Sequence, residues 1–151
     1  MSARNPRMAG LAPDDIERLH AAARAIRDRA PAQAERLLAD VLARHPRHAE
    51  ALRLLAILQL HTQRAAQAIA TLQQAIAAHA DDALLHADLG NAHNARGEHE
   101  TAIAMWRRAT ELDPLQPVPW FNLGRALQSQ GDSTAAVAAL RHARSLAPEL
   151  L

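Results

Sequence analysis

The feature that most constrains the fold is a period of 34 residues that runs through most of the chain. One alanine returns at every period, at Ala34, Ala68, Ala102 and Ala136. Other residues return after the same interval: Leu89 and Leu123, Gly97 and Gly131, Ala109 and Ala143, Leu112 and Leu146, and Pro114 and Pro148. A fixed period of this length indicates tandem copies of one supersecondary unit, which bury their apolar faces against one another.

The amino-acid composition decides between helices and strands for these copies. Gly is scarce, with five residues in 151, while Ala is abundant and β-branched residues are few, so helices are favoured. The absence of Cys excludes disulfides, thiolate nucleophiles and Cys-ligated metal sites. All 17 basic residues are Arg, so the chain has neither a phosphate-loop lysine nor a Schiff-base lysine. We therefore predict an all-α fold.

The glycines have two predicted roles. Gly90 and Gly124 belong to the first helix of their copies, where the missing side chain lets two helix backbones approach closely. Gly97 and Gly131 lie in the turn between helices, where a positive φ costs glycine little. Since no lysine or adjoining strand accompanies them, we interpret these glycines as packing and turn residues rather than as a phosphate cradle.

A Leu-Gly pair, a later constant Ala and a closing Pro within 34 residues resemble the tetratricopeptide repeat, over about residues 15–148. The first copy, which has Ala21-Ala22 at the Leu-Gly place, is the most diverged. The resemblance implies a right-handed α-solenoid of antiparallel helix pairs. We predict a flexible N-terminal tail over residues 1–12 and a single domain over residues 13–151, with repeats at about 15–48, 49–82, 83–116 and 117–150.

The resemblance also implies that the first helix of each repeat lines a concave groove, and helical spacing selects the residues that face it. Asn91 and Asn122 are notable because an asparagine amide pairs with both the N–H and the C=O of an extended peptide. A carboxylate clamp of the kind found in some family members is not expected, since Ala87 stands where its cation belongs. The alternative is that both asparagines are ordinary exposed helix residues. The predicted partner-binding groove comprises Arg53, Ile57, Asp88, Asn91, Asn122 and Arg125.

The predicted groove floor is apolar in the first two repeats, at Leu19, Leu54 and Ile57. A bare apolar floor would be unusual, so it indicates either a bound partner peptide or a cover formed by the N-terminal tail. Looser packing in the diverged repeats explains the same pattern equally well. The sequence leaves these alternatives open.

The sequence gives little support for metals, cofactors, nucleic acid or membranes as partners. Although the chain has nine His, the nearest helical pair, His86 and His93, is about 10 Å apart along one helix, too far to share an ion. Residues 1–64 hold 11 Arg and 7 acidic residues, but these charges are interleaved, and a chain with one Phe, two Trp and no Tyr has little on which to stack bases. Apolar runs such as Leu54 to Leu58 and Ala135 to Leu140 are far shorter than the roughly 20 residues of a membrane helix.

These observations predict a protein–protein interaction scaffold that binds a peptide or partner protein in its groove and has no active site, metal or cofactor. Because the N-terminus does not resemble a secretory signal, we expect it in the cytoplasm. The alternative is the N-terminal recognition or assembly region of a larger bacterial enzyme, of the sulfotransferase, glycosyltransferase or hydroxylase type. We also expect a homodimer through the C-terminal end, since no polar capping helix follows the fourth repeat.

Overall fold

The computed structural model describes residues 5–150, which form consecutive α-helices and two short 3-10 helices, Pro6–Met8 and Pro148–Leu150. These residues contain no strand, so the predicted all-α fold is confirmed. Each predicted repeat contains one helix pair. The α-helices are α1 (Pro13–Arg27), α2 (Pro31–Arg44), α3 (Ala49–His61), α4 (Ala65–Ala78), α5 (Ala83–Ala95), α6 (His99–Leu112), α7 (Pro117–Ser129) and α8 (Ser133–Leu146).

Several of the helices begin where the sequence provides a start signal. Pro13 and Pro31 occupy the first position of α1 and α2, where the missing proline N–H leaves no helical hydrogen bond unmade. Asp82 and Asp132 precede α5 and α8, and the side chain of each accepts a hydrogen bond from a backbone N–H of the first turn at 3.1 Å. These local signals define where these four helices start.

The turns inside the four helix pairs share one backbone conformation. Gly97 and Gly131 have φ values of 78° and 84°, as the sequence predicted. Arg29 and Gln63, at the same place in the first two repeats, also adopt a positive φ, of 56° and 63°. Sequence reasoning missed this pair, although both residues fall on the 34-residue period. A non-glycine residue in this conformation costs about 1–3 kcal/mol, so two of the four turns are strained.

The chain divides after Ala80 into two compact units, each of which contains two helix pairs. In the first unit, up to Ala80, the core includes Leu19, Leu38 and Leu58. In the second, from Asp81, Trp106 and Leu123 belong to the core. This division falls inside the single domain predicted over 13–151. Each unit has its own apolar core.

Helices of the second unit approach closely at its two helical glycines. A Cβ atom on Gly90 would lie 2.6 Å from Nε1 of Trp106, and one on Gly124 would lie 2.7 Å from Cγ of Leu140. Neither distance leaves room for a methyl group, so both partners would have to move. The predicted packing role of Gly90 and Gly124 is therefore confirmed.

Residues 5–12 pack against the first unit. Met8 and Leu11 lie against its apolar core, and the guanidinium of Arg7 is paired with the carboxylate of Glu50 on α3. The sequence predicted a flexible tail over residues 1–12. Residues 1–4 of that stretch lie outside the described residues, whereas residues 5–12 have both apolar and ionic contacts.

The predicted apolar groove floor of the first two repeats is largely part of the core. Leu19 is completely buried and Leu54 is 7% exposed, while Ile57 is half-buried. Met8 and Leu11 pack against the cluster that contains Leu19 and Leu54, which agrees with a cover by the N-terminal segment. The assignment of Leu19 to an open floor was wrong, since its side chain has no solvent-accessible surface.

A buried carboxylate links the start of α1 to the end of α2. Asp15 accepts hydrogen bonds from Arg18, at 2.9 Å, and from Arg44, and it lies 3.1 Å from Nε2 of His45. The hydrogen bond from Arg44 is the main cause that holds the pKa of the Asp15 carboxyl well below its usual range, and His45 and Arg18 act in the same direction. The ionised form of Asp15 therefore stabilises the folded first unit.

We expect Gly124→Ala to lower the free energy of unfolding by about 1–3 kcal/mol, because the added methyl group overlaps Leu140. Helix propensity alone predicts the opposite sign, a gain of about 1 kcal/mol for alanine over glycine. Urea unfolding of the variant and the parent chain distinguishes the two effects. A more stable variant would show that the close approach at Gly124 does not limit packing.

We expect Asp15→Asn to lower the midpoint of thermal unfolding at about pH 7, and the difference from the parent to shrink as the pH falls below about 4. Because the folded-state pKa of Asp15 is depressed, its contribution is present above the unfolded-state pKa and is lost as the carboxylate is protonated. Thermal unfolding across this pH range tests this expectation. The exposed neighbour Asp14→Asn is the control, and a difference that does not change with pH would contradict the assignment.

Candidate functional site

The second unit contains a cavity lined by side-chain amides, here called the amide cavity. Its volume is about 510 Å³, and α5, α6 and α7 all contribute to its wall. No acidic residue is among those that line it. The lining residues are Asn91, Asn94, His99, Trp106, Asn122, Arg125, Ala126, Ser129 and Gln130.

Three of these side chains form one hydrogen-bonded group. Oδ1 of Asn91 accepts a hydrogen bond from Nε1 of Trp106 at 3.1 Å and a second from Nδ2 of Asn122 at 3.1 Å. An indole N–H only donates, so the atom of Asn91 that faces Trp106 is its oxygen, and Asn122 must present its nitrogen to that oxygen. The chemistry of the tryptophan thus fixes the orientation of both amides.

The arrangement leaves one amide N–H donor and one amide C=O acceptor for a ligand. Among the described residues, Nδ2 of Asn91 has no acceptor and Oδ1 of Asn122 has no donor. Both asparagines are half-buried and line the cavity. The site therefore offers a donor and an acceptor side by side, already oriented before a ligand arrives.

The small residue at Gly90 explains why Trp106 reaches this group. The indole lies directly over Gly90, and Asn91 is the next residue on α5, so its oxygen comes within hydrogen-bond distance of the ring nitrogen. Sequence reasoning selected Asn91 and Asn122 but did not connect either of them with Trp106. It missed the hydrogen bonds among the three, because they come from three different helices.

The remaining polar groups of the amide cavity are arranged around this pair. Nδ1 of His99 lies 2.9 Å from Oδ1 of Asn94, and the hydroxyl of Ser129 donates to the backbone carbonyl of Arg125 at 3.1 Å. The side chain of Arg125 is exposed and makes no hydrogen bond or ion pair with any described residue. A cation at this wall is thus available to a ligand.

The six predicted groove residues fall into three groups in the structure. Asn91, Asn122 and Arg125 line the amide cavity together. Asp88, one turn before Asn91 on α5, is half-buried and is not among the residues that line this cavity. The other two predicted residues line a cavity of the first unit.

Arg53 and Ile57 contribute to this second cavity, here called the first-unit cavity, which has a volume of about 1110 Å³. Glu50 on its wall is paired with Arg53 at 3.1 Å and with Arg7. The cavity is lined by Ala23, Ile26, Arg27, Arg29, Pro31, Glu50, Arg53, Leu54, Ile57, Leu58, Leu60, His61, Thr62 and Gln63.

Several histidines make local contacts rather than clusters. Nδ1 of His93 pairs with Glu98, and His45 lies beside Asp15. Within residues 5–150, no group of three or more His, Cys, Asp or Glu side chains could hold a metal ion. In that same part of the chain no helix combines the length and the apolar character that crossing a bilayer requires.

We expect Asn91→Leu to lower the free energy of unfolding by about 1–3 kcal/mol, because the buried indole N–H of Trp106 loses its acceptor. Asn122→Leu leaves the bond between Trp106 and Asn91 intact and should cost about 1 kcal/mol or less. Asn94→Leu, on the same helix as Asn91, removes an exposed hydrogen bond to His99 and is the control for the loss of an exposed amide. Urea unfolding measures all three, and equal costs for Asn91 and Asn122 would contradict the central role of the Asn91 oxygen.

Comparison with known families gives three matches that follow one another along the chain. Tetratricopeptide-repeat models match residues 25–89 and residues 119–150, and a TPR-repeat model matches residues 90–131. A comparison with curated proteins gives no match. The family matches therefore include every helix that lines the amide cavity.

Solved structures of MamA are similar to this chain. One crystal structure of MamA has a TM-score of 0.75 and 22% sequence identity, covering 90% of this chain and 80% of that one. A second crystal structure of MamA has a TM-score of 0.72 and 22% identity, with 89% and 73% covered. The MamA RS-1 ArsTM double mutant has a TM-score of 0.73 and 20% identity, with 95% and 80% covered. At these identities the likeness shows the fold alone.

Proposed function

Because this chain belongs to the tetratricopeptide-repeat family, whose members are protein-interaction scaffolds, we propose that it binds an extended peptide segment of a partner protein in the amide cavity. The observation that carries this proposal is the oriented pair of Asn91 and Asn122. It offers a free donor on one residue and a free acceptor on the other.

A peptide main chain carries the complementary groups. Each residue other than proline has one N–H donor and one C=O acceptor, and these match Oδ1 of Asn122 and Nδ2 of Asn91. Since Trp106 already holds the amides in one orientation, less side-chain freedom is lost when the peptide binds. Main-chain recognition of this kind supplies affinity for many sequences, while the surrounding side chains select among them.

Arg125 provides that selection in the amide cavity. Its guanidinium is exposed and has no partner among the described residues, and no carboxylate lines the cavity. We therefore expect the preferred segment to carry an acidic group near the residue that pairs with the asparagines. The side chains that line the cavity suit binding rather than covalent catalysis. The imidazole of His99 hydrogen-bonds to Asn94, and the hydroxyl of Ser129 donates to the backbone carbonyl of Arg125, so neither is paired with the other as nucleophile and base.

Main-chain recognition can be tested with a peptide selected from a random-sequence phage library against the parent protein. Replacing the backbone N–H groups of this peptide with N-methyl groups, one at a time, should weaken binding about tenfold at one position. N-methylation at that position should no longer weaken binding to the Asn122→Ala protein, because this variant lacks the Oδ1 acceptor. Isothermal titration calorimetry measures the four affinities of this cycle.

Arg107→Ala is the matched control for the protein variant, since Arg107 is exposed on α6 and lies outside the amide cavity. This variant should keep the affinity and the N-methyl sensitivity of the parent. The proposal is wrong if N-methylation has the same effect on the parent and on Asn122→Ala at every position. Failure to select any peptide that binds in the amide cavity would also count against the proposal.

A further inference from the structure

Two strained turn residues of the first unit lie on one cavity. Arg29 and Gln63 have positive φ values at the positions that Gly97 and Gly131 occupy in the second unit. Both residues line the first-unit cavity, whereas neither glycine lines the amide cavity. Glycine would relieve the strain at residues 29 and 63, so the two side chains are present despite an unfavourable backbone. Because both strained residues line one cavity, their side chains are candidates for contact with a ligand there.

The rim of the first-unit cavity is basic. Arg27, Arg29 and His61 line it and are exposed. Arg27 is paired with Asp28 at 3.8 Å, whereas the guanidinium of Arg29 has no hydrogen-bond or ion-pair partner among the described residues. The only acidic residue on the wall, Glu50, is buried and already paired with Arg53. The cavity therefore presents the uncompensated positive charge of Arg29 to a ligand.

The floor of the same cavity is apolar. Ile26 and Leu54 are each 7% exposed, and Ile57 is half-buried beside them. A volume of about 1110 Å³ is large enough for several side chains of a partner. An apolar floor below a basic rim is complementary to a segment that carries both apolar side chains and carboxylates.

We propose that the first-unit cavity binds an acidic amphipathic segment of a partner protein. Apolar side chains of that segment contact Ile57 and the small exposed parts of Ile26 and Leu54, one of its carboxylates pairs with Arg29, and Gln63 hydrogen-bonds to its polar face. The inference rests on the proposed scaffold function, but it concerns a different cavity. The two proposals can therefore fail separately.

The test uses a fluorescein-labelled helical peptide of about four turns, with Leu on one face and Glu elsewhere. We expect this peptide to bind the full chain, as measured by fluorescence anisotropy. A peptide with Lys in place of Glu should bind at least about tenfold more weakly. In Arg29→Gly we expect two opposite changes, a higher midpoint of thermal unfolding and about fivefold weaker binding of the Glu peptide.

Three variants make the readout specific to the Arg29 side chain. Arg29→Lys keeps the charge and should bind within about twofold of the parent. Arg36→Ala removes one exposed positive charge of the first unit outside the cavity and should leave binding unchanged. Asn122→Ala alters only the amide cavity, so it should also bind the Glu peptide like the parent.

The proposal is overturned by equal binding of the Glu and Lys peptides, or by no binding of the Glu peptide up to about 1 mM. It is also overturned if Arg29→Gly gains thermal stability and keeps the parent affinity, since the side chain would then have no role in binding. Loss of Glu-peptide binding in Asn122→Ala would move the site to the amide cavity. That result would contradict this inference and leave the proposed function standing.

Discussion

The helix pairs depend on one recurring constraint, the absence of side-chain bulk where two helices meet. The alanine that recurs in the second helix of each repeat is at most 2% exposed, at residues 34, 68, 102 and 136. The position 12 residues before it, in the first helix, is also small. It is Ala22 or Ala56 in the first unit, both completely buried, and Gly90 or Gly124 in the second. Because these positions are small, a large side chain of the second helix can lie against the first helix, as Trp106 does at Gly90 and Leu140 does at Gly124.

The same contact determines what the second unit can bind. With no Cβ on Gly90, the indole of Trp106 lies against the backbone of α5 and reaches the oxygen of Asn91. That hydrogen bond orients Asn91, which in turn orients Asn122. The packing that stabilises the unit and the polar group that faces the cavity are thus parts of one arrangement, so a change at Gly90 would alter both.

Local rules explain how much of this could be predicted from the sequence. Two sources of information predict the local features. Residues close together in the chain predict the helix starts at proline and aspartate, and the 34-residue period predicts the helix pairs and the roles of the four glycines. The bond between Asn91 and Asn122 depends on how two helices align, which no local pattern specifies. The packing of residues 5–12 against the first core could not be predicted in this way, because these residues belong to no repeat and have no counterpart in the other copies.

A repeat protein contains its own reference for detecting such exceptions. Four turns with one backbone conformation show that glycine is acceptable at this place, because two of them use it. Arg29 and Gln63 therefore stand out against the other copies of the same chain. The comparison needs only the period and the rule that positive φ favours glycine. Applied to the sequence, it would have identified residues 29 and 63 as departures. Their location on the wall of one cavity, which only the structure reveals, turns those departures into a hypothesis about binding.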